Sequence, residues 1–178
     1  MNVNSKYILA ALIGALALEC IIPSTIGIAA YAQQQPQTQS IPGQFVANLS
    51  GKNVFPPVNT NATGQASLNL TNQGSKMAYL VTAHNLNGVT SVTLEFTQGG
   101  RTREVASLYD AVKSGPTGKI DGTLTQGTFG ASDLLTDFKG KQLSNLIKAM
   151  TDGNIVLRVR TIALPNGVVE GKVAPNIS

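Results

Sequence analysis

Residues 89–97, VTSVTLEFT, place Val92, Leu94 and Phe96 at every second position, with Thr93, Glu95 and Thr97 between them. A period of two is the spacing of a strand with one face in a core and one toward water. The same period recurs on both sides. In GQASLNLTN (64–72), Ala66, Leu68 and Leu70 alternate with Gln65, Ser67, Asn69 and Thr71. In KMAYLVTAHNL (76–86), Met77, Tyr79, Val81 and Ala83 share a face, and in NIVLRVRT (154–161) Ile155, Leu157 and Val159 alternate with Val156, Arg158 and Arg160. Turn residues bound each run: Asn72-Gln73-Gly74, Asn87-Gly88, Gly99-Gly100 and Pro165-Asn166-Gly167. Short alternating runs separated by such turns predict an all-β, antiparallel sandwich or barrel.

One stretch breaks the period. In GKQLSNLIKAMTDG (140–153), Leu143, Leu146, Ile147 and Met150 recur at helical spacing, with Gly140 before them and Gly153 placed to cap the end. This predicts one short helix near 141–151, its apolar stripe lidding an open end of the sheet. Ser132-Asp133 is read as the start of a helical turn running through Leu134 and Leu135.

Composition narrows the chemistry. The 178 residues carry 13 Lys+Arg and 9 Asp+Glu, a net +4, and only 12% are charged, about half the usual share of about 25%. One His and one Cys exclude a multi-His metal centre, a disulfide framework and a paired Cys/His zinc site within one chain. No dense Lys/Arg stripe exists, so nucleic acid is not an expected partner.

The first 32 residues read as a targeting segment. Lys6 precedes the apolar run YILAALIGALAL (7–18), and after Glu19 and Cys20 the run IIPSTIGIAAYA (21–32) ends in the signal-peptidase-like Ala30-Tyr31-Ala32. Either this segment is cleaved after Ala32, or residues 7–31 remain as a membrane anchor, since that length is enough to span. Glu19 and Pro23 within the span favour cleavage, and the long stretch between Leu18 and Ala32 favours retention. Leu18-Glu19 before Cys20 does not suit a lipidation site. Residues 33–43 (QQQPQTQSIPG) form a polar flexible linker, and residues 44–174 form the β domain.

Three stretches together resemble the CHRD domain, a β-rich extracellular module found singly in many bacterial and archaeal secreted proteins. The first, LSGKNVFPPVNTNATGQASLNL (49–70), follows the family's L-S-G-x-N-E-V-P-P-V-x-T-x-A-x-G-x-A through Leu49, Ser50, Gly51, Asn53, Pro56, Pro57, Val58, Thr60, Ala62, Gly64 and Ala66. The second is YLVTAHNLNGVTSVTLEF (79–96), and the third is LIKAMTDGNIVLRVRTIALPNGVVEGKV (146–173). The resemblance implies an immunoglobulin-like or superoxide-dismutase-like β architecture in a secreted prokaryotic, even archaeal, protein. It also exposes departures. The family's Glu before the Pro pair is Val54 here; the two His of its A-H-I-H segment fall on or near Thr93 and Glu95; the His of V-H-T is Arg160; and in G-E-I-R-G the Glu is Val168 and the Arg is Glu170. The scaffold residues persist and the polar cluster is replaced, so no metal or acid/base site is carried over. Arg160 is expected to pair with Glu95 or Glu170 as a partly exposed ion pair of about 0–1 kcal/mol.

Little other chemistry presents itself. His84 reads as a surface residue at a strand end, and no G-x-S-x-G elbow accompanies it. Asp133 and Asp137 stand four apart and read as solvated charges in preference to a cation site. Arg101, Arg103, Lys113 and Lys119 offer at most a modest basic rim for an anionic polymer. Asn48, Asn61, Asn69 and Asn176 lie in N-x-S/T triplets that glycosylation machinery would recognise. The expectation is a non-catalytic extracellular or cell-envelope module, binding or structural, with no catalytic residue, metal or cofactor. Its partner would be an extracellular protein or surface polymer, and the membrane would be touched only through the N-terminal segment. The alternative is a metal-binding protein or extracellular enzyme derived from the His-bearing pattern. Thr93, Glu95, Arg160 and Glu170 are the positions on which that choice turns.

Overall fold

The computed structural model describes residues 43–176. The targeting or anchor segment at 1–32 and the linker up to residue 42 lie outside the described residues. Nine strands follow in order: β1 (Gln44–Ser50), β2 (Thr63–Thr71), β3 (Lys76–Leu86), β4 (Val89–Gln98), β5 (Arg101–Asp110), β6 (Ile120–Gly130), β7 (Ile155–Thr161), β8 (Val169–Lys172) and the short β9 (Ala174–Pro175). Every pairing is antiparallel, in the order β5-β4-β7-β8-β1-β2-β3-β6, with β9 also beside β1. The sheet is continuous. What the sequence reads as a sandwich or barrel is one sheet curled into a half-barrel, whose end strands β5 and β6 approach each other.

Bulges on the two end strands help to produce the curl. Val92 pairs with Tyr109 and Thr93 with Ser107, which leaves Leu108 as an extra residue; Leu94 pairs with Ala106 and Glu95 with Glu104, which leaves Val105 as another. On β6 the step from Val81–Thr125 to Thr82–Thr123 leaves Leu124 over. A bulge bends its strand and increases twist. All three extra residues are buried, so each bulge also adds an apolar side chain to the core. The carbonyls they turn out of the ladder find other donors: Leu135 N to Val105 O at 2.8 Å, and the Tyr79 hydroxyl to Leu108 O at 3.0 Å.

The alternating sets of β2, β3 and β7 pack inward as their spacing predicts: Ala66, Leu68, Met77, Val81, Ala83, Ile155, Leu157 and Val159 are buried in one core. A helix, α2 (Leu143–Thr151), adds Leu143, Leu146, Ile147 and Met150 to that core, and Gly153 beyond it takes φ +72°. That left-handed conformation suits glycine at a helix end. A second, one-turn helix, α1 (Ala111–Ser114), was not foreseen; Asp110 caps it by accepting from Val112 N at 2.8 Å. The turn at Ser132-Asp133 is a 3-10 turn over Ala131–Asp133, and it does not continue through Leu134 and Leu135. Leu134 is extended, because the amide of Leu135 is held by the bulged carbonyl of Val105. Among the described residues no helix is long and apolar enough to cross a membrane.

Candidate functional site

On the face of the sheet turned away from the core, β4, β7 and β8 carry a row of polar residues. Thr93 is the register partner of Arg158, and Arg158 that of Glu170; Ser91 opposes Arg160, and Val156 opposes Glu95. Period two therefore puts Thr93, Glu95, Arg158, Arg160 and Glu170 on one surface. Arg160 Nη1 donates to Thr93 Oγ1 at 2.8 Å, Thr93 Oγ1 donates to Glu95 Oε1 at 3.0 Å, and Arg160 Nη2 donates to the same carboxylate oxygen. Arg158 donates from Nε to Glu170 Oε2 at 2.6 Å, with Nη2 equally close. Its Nε stands 3.5 Å from Glu95 Oε2, which is ion-pair contact but too long for a good hydrogen bond. Among the described residues Glu95 Oε2 accordingly has no hydrogen-bond partner.

The pair is exposed on one side only: Arg160 keeps 25% of its side chain exposed, whereas the carboxylate beneath it is closed off. Glu95 is 2% exposed and Thr93 3%. The two arginines lie over them, and Arg158 is itself roofed. A Cβ built on Gly167 would sit 3.1 Å from Arg158 Cδ and 3.4 Å from Val54 Cγ1, so the turn at 164–167 and the loop at 54–58 close over its stem. Two cations and two anions balance within a few ångströms, and burial makes the balance necessary, because an unpaired charge there would be strongly unfavourable. Glu104, the register partner of Glu95, feels the same surroundings. Burial pushes its carboxyl above the ordinary range; Arg160 opposes that shift, and Glu95 and Asp110 reinforce it.

The motif residues beside this network do structural work. Asn53 Nδ2 donates to Glu170 O at 2.9 Å, which ties the loop after β1 to β8. Gly171 sits where a Cβ would collide with the carbonyl of Asn48, so β8 lies hard against β1. Val54 and Val168, where the resemblance expects glutamates, are both buried apolar residues.

A family model for the CHRD domain matches residues 45–173. The chain belongs to the CHRD domain family. No curated protein and no solved structure matches it.

Within this CHRD domain, the three positions that the family pattern gives to His, namely Thr93, Glu95 and Arg160, touch one another. The present residues do not suit a metal: one donor is a neutral hydroxyl, and a guanidinium already occupies the cationic place beside Glu95. Among the described residues no three His, Cys, Asp or Glu side chains are grouped to hold a metal ion.

Of the two partners the sequence offers Arg160, the structure selects Glu95 and gives Glu170 to Arg158. Arg158 is the member that sequence reading missed, although its spacing of two from Arg160 placed it on the same face. His84 is exposed at the end of β3, with Nδ1 3.9 Å from Asp121 Oδ1. Asp133 and Asp137 are spent separately: Asp133 accepts from Gly130 N, and Asp137 pairs with Arg103. Lys119 pairs with Asp121, so the basic rim loses Arg103 and Lys119 to local carboxylates. Of the N-x-S/T asparagines, Asn48, Asn61 and Asn176 are exposed and Asn69 is half-buried; Asn61, before β2, and Asn176, after β9, lie outside the strands. Asn48 Oδ1 accepts from Gln65 at 3.3 Å, and Asn176 Nδ2 donates to Gln44 at 2.9 Å.

Proposed function

We propose that this CHRD domain is a non-catalytic module of the cell surface or extracellular space, acting by contact as a binding or structural element. One observation carries the reading: the polar residues at the positions that decide it, Thr93, Glu95, Arg160 and Glu170, are consumed by one another and by Arg158. A buried carboxylate neutralised by a guanidinium is a poor base, and a hydroxyl hydrogen-bonded to both is a poor nucleophile. The leader-like residues 1–32 support work outside the cytoplasm. The second reading, metal handling or extracellular catalysis, is favoured by the convergence of three family His positions and opposed by what stands in them.

Two measurements on the purified full chain test this. Metal analysis should find no stoichiometric ion; one equivalent of copper, zinc or calcium overturns the proposal. Fractionation should place the chain with the envelope or the medium, and a stable partner should be recovered there. A cytoplasmic chain with no partner overturns it as well.

A further inference from the structure

The end strands β5 and β6 meet without a shared backbone ladder. Two side chains latch them instead. The Tyr79 hydroxyl, from β3, and Thr125 Oγ1, from β6, both donate to Leu108 O on β5, at 3.0 and 3.2 Å. Tyr79 reaches that carbonyl by crossing β6 at its register partner Gly127, where a Cβ would lie 3.1 Å from Tyr79 Cζ. Only a residue without a side chain leaves room for the ring.

A cavity opens on each side of this aromatic bridge, of about 330 Å³ and about 320 Å³, and both are lined by Tyr79, Ser107 and Lys113. Thr128 adds a hydroxyl to the first; Thr125 and Gln126 add a hydroxyl and an amide to the second. Lys113 has no ion pair among the described residues. The carboxylates that share the lining, Asp110 and Asp133, each accept from a backbone amide. The two cavities thus adjoin through Tyr79, Ser107 and Lys113 and present donors and acceptors of both kinds, with one cation against two anions.

That chemistry selects among ligands. A polyanion would meet two carboxylates with only one lysine to offset them. An apolar peptide would strand hydroxyls and an amide without partners. A linear chain of polar rings presents hydroxyls to the walls and an apolar ring face to the tyrosine, and amphipathic aromatics suit such two-sided surfaces. We propose that the β5–β6 seam is a binding cleft for a neutral, linear oligosaccharide that passes Tyr79 at its centre. This rests on the surface-module reading and specifies the polymer that such a module would contact.

The test is calorimetric titration of the full chain with cellohexaose, chitohexaose and mannohexaose, with hexagalacturonate as the charged comparison. At least one neutral hexasaccharide should bind at one per chain. Thr128→Trp, which fills one cavity from an exposed strand position, should weaken it by about tenfold or more. Lys113→Ala on the exposed turn α1 should weaken it less, and Ser144→Trp on the solvent side of α2 should leave it unchanged. A melting curve confirms that each variant is folded. Absence of binding to every neutral hexasaccharide, preference for hexagalacturonate, or binding that both Thr128→Trp and Lys113→Ala leave intact overturns the proposal. If these results coincide with retained envelope association and no metal, the cleft is wrong and the surface role stands. Stoichiometric metal sinks the surface role whatever the sugars do.

Discussion

Arg160 on β7 reaches diagonally past Thr93 to the carboxylate of Glu95 on β4, although its register partner is Ser91. The pair is therefore not a ladder neighbour held at a rim, but a long guanidinium laid over a carboxylate that is 2% exposed. Removing the cation leaves Glu95 with Arg158 Nε at 3.5 Å and, among the described residues, no other cation in contact.

Arg160→Ala should lower unfolding free energy by about 3 kcal/mol, the scale of a broken buried pair. The double variant Glu95→Leu, Arg160→Met should recover most of that loss, since volume-matched apolar pairs often replace buried ion pairs at little cost. Urea unfolding of the wild type, the single and the double variant checks both statements. Equal losses in single and double variants would contradict a purely structural pair.

Replacing Thr93, Glu95 and Arg160 together by His should create a site for a divalent transition ion. Positions 93 and 95 stand two apart on one face of β4, and position 160 is on the same face of the adjoining β7, so three imidazoles would share one surface on which zinc–imidazole bonds of about 2.0–2.1 Å can form. Zinc titration should give one equivalent for the triple variant and none for the parent. A triple variant that folds yet takes no metal would show that backbone position alone does not make the site.

Gly171→Ala should destabilise the domain by about 2–3 kcal/mol, the cost of overpacking a tight contact. The added methyl collides with the carbonyl of Asn48, a backbone atom of a strand already paired on its other side with β2. Thermal melting reads the change.

Two carboxyls shape the acid range in opposite directions. Glu104 holds its proton to higher pH folded than unfolded, so above its ordinary 4.5 the folded state binds more protons and stability falls as pH rises toward the raised value. Glu104→Gln should flatten that fall. Asp121, which accepts from the Asn85 amide and from Lys119, lies below its ordinary 3.8; it stabilises above that pH and its contribution is lost as pH drops through the depressed value. Asp121→Asn should flatten that acid limb. Stability measured across the acid range separates the two.

Much of this fold was legible because β2, β7, α2 and the greater part of β3 and β4 each keep one period; only Leu86 and Val89, at the ends of β3 and β4, are buried out of phase, each beside a register shift. The stretches at 101–110 and 120–130 carried no such signal. Val105, Leu108 and Leu124 are bulge residues, and an inserted residue moves every later side chain to the other face of a simple alternation. At the site, spacing placed Thr93 and Glu95 on the outer face correctly. It did not reveal that they are buried, because their cover comes from Arg158 and Arg160 more than sixty residues later and from the loop around Val54 and Gly167. A strand's own residues state which face they take, not what other segments bring to that face.

β1 is an interior strand, bonded along all seven of its residues to β2 and flanked on its other side by β8 and β9. Tension applied between Gln44 and the Thr63 end of β2, which stand at opposite ends of the β1–β2 pair, would meet its hydrogen bonds in shear, loaded together rather than peeled one by one. Tension applied between Gln44 and Asn176, which are hydrogen-bonded neighbours, would instead open the short β1–β9 pair one bond at a time and meet far less resistance. Forced unfolding follows the unfolding barrier rather than equilibrium stability, so the position of the first strand gives the protein a strong direction and a weak one.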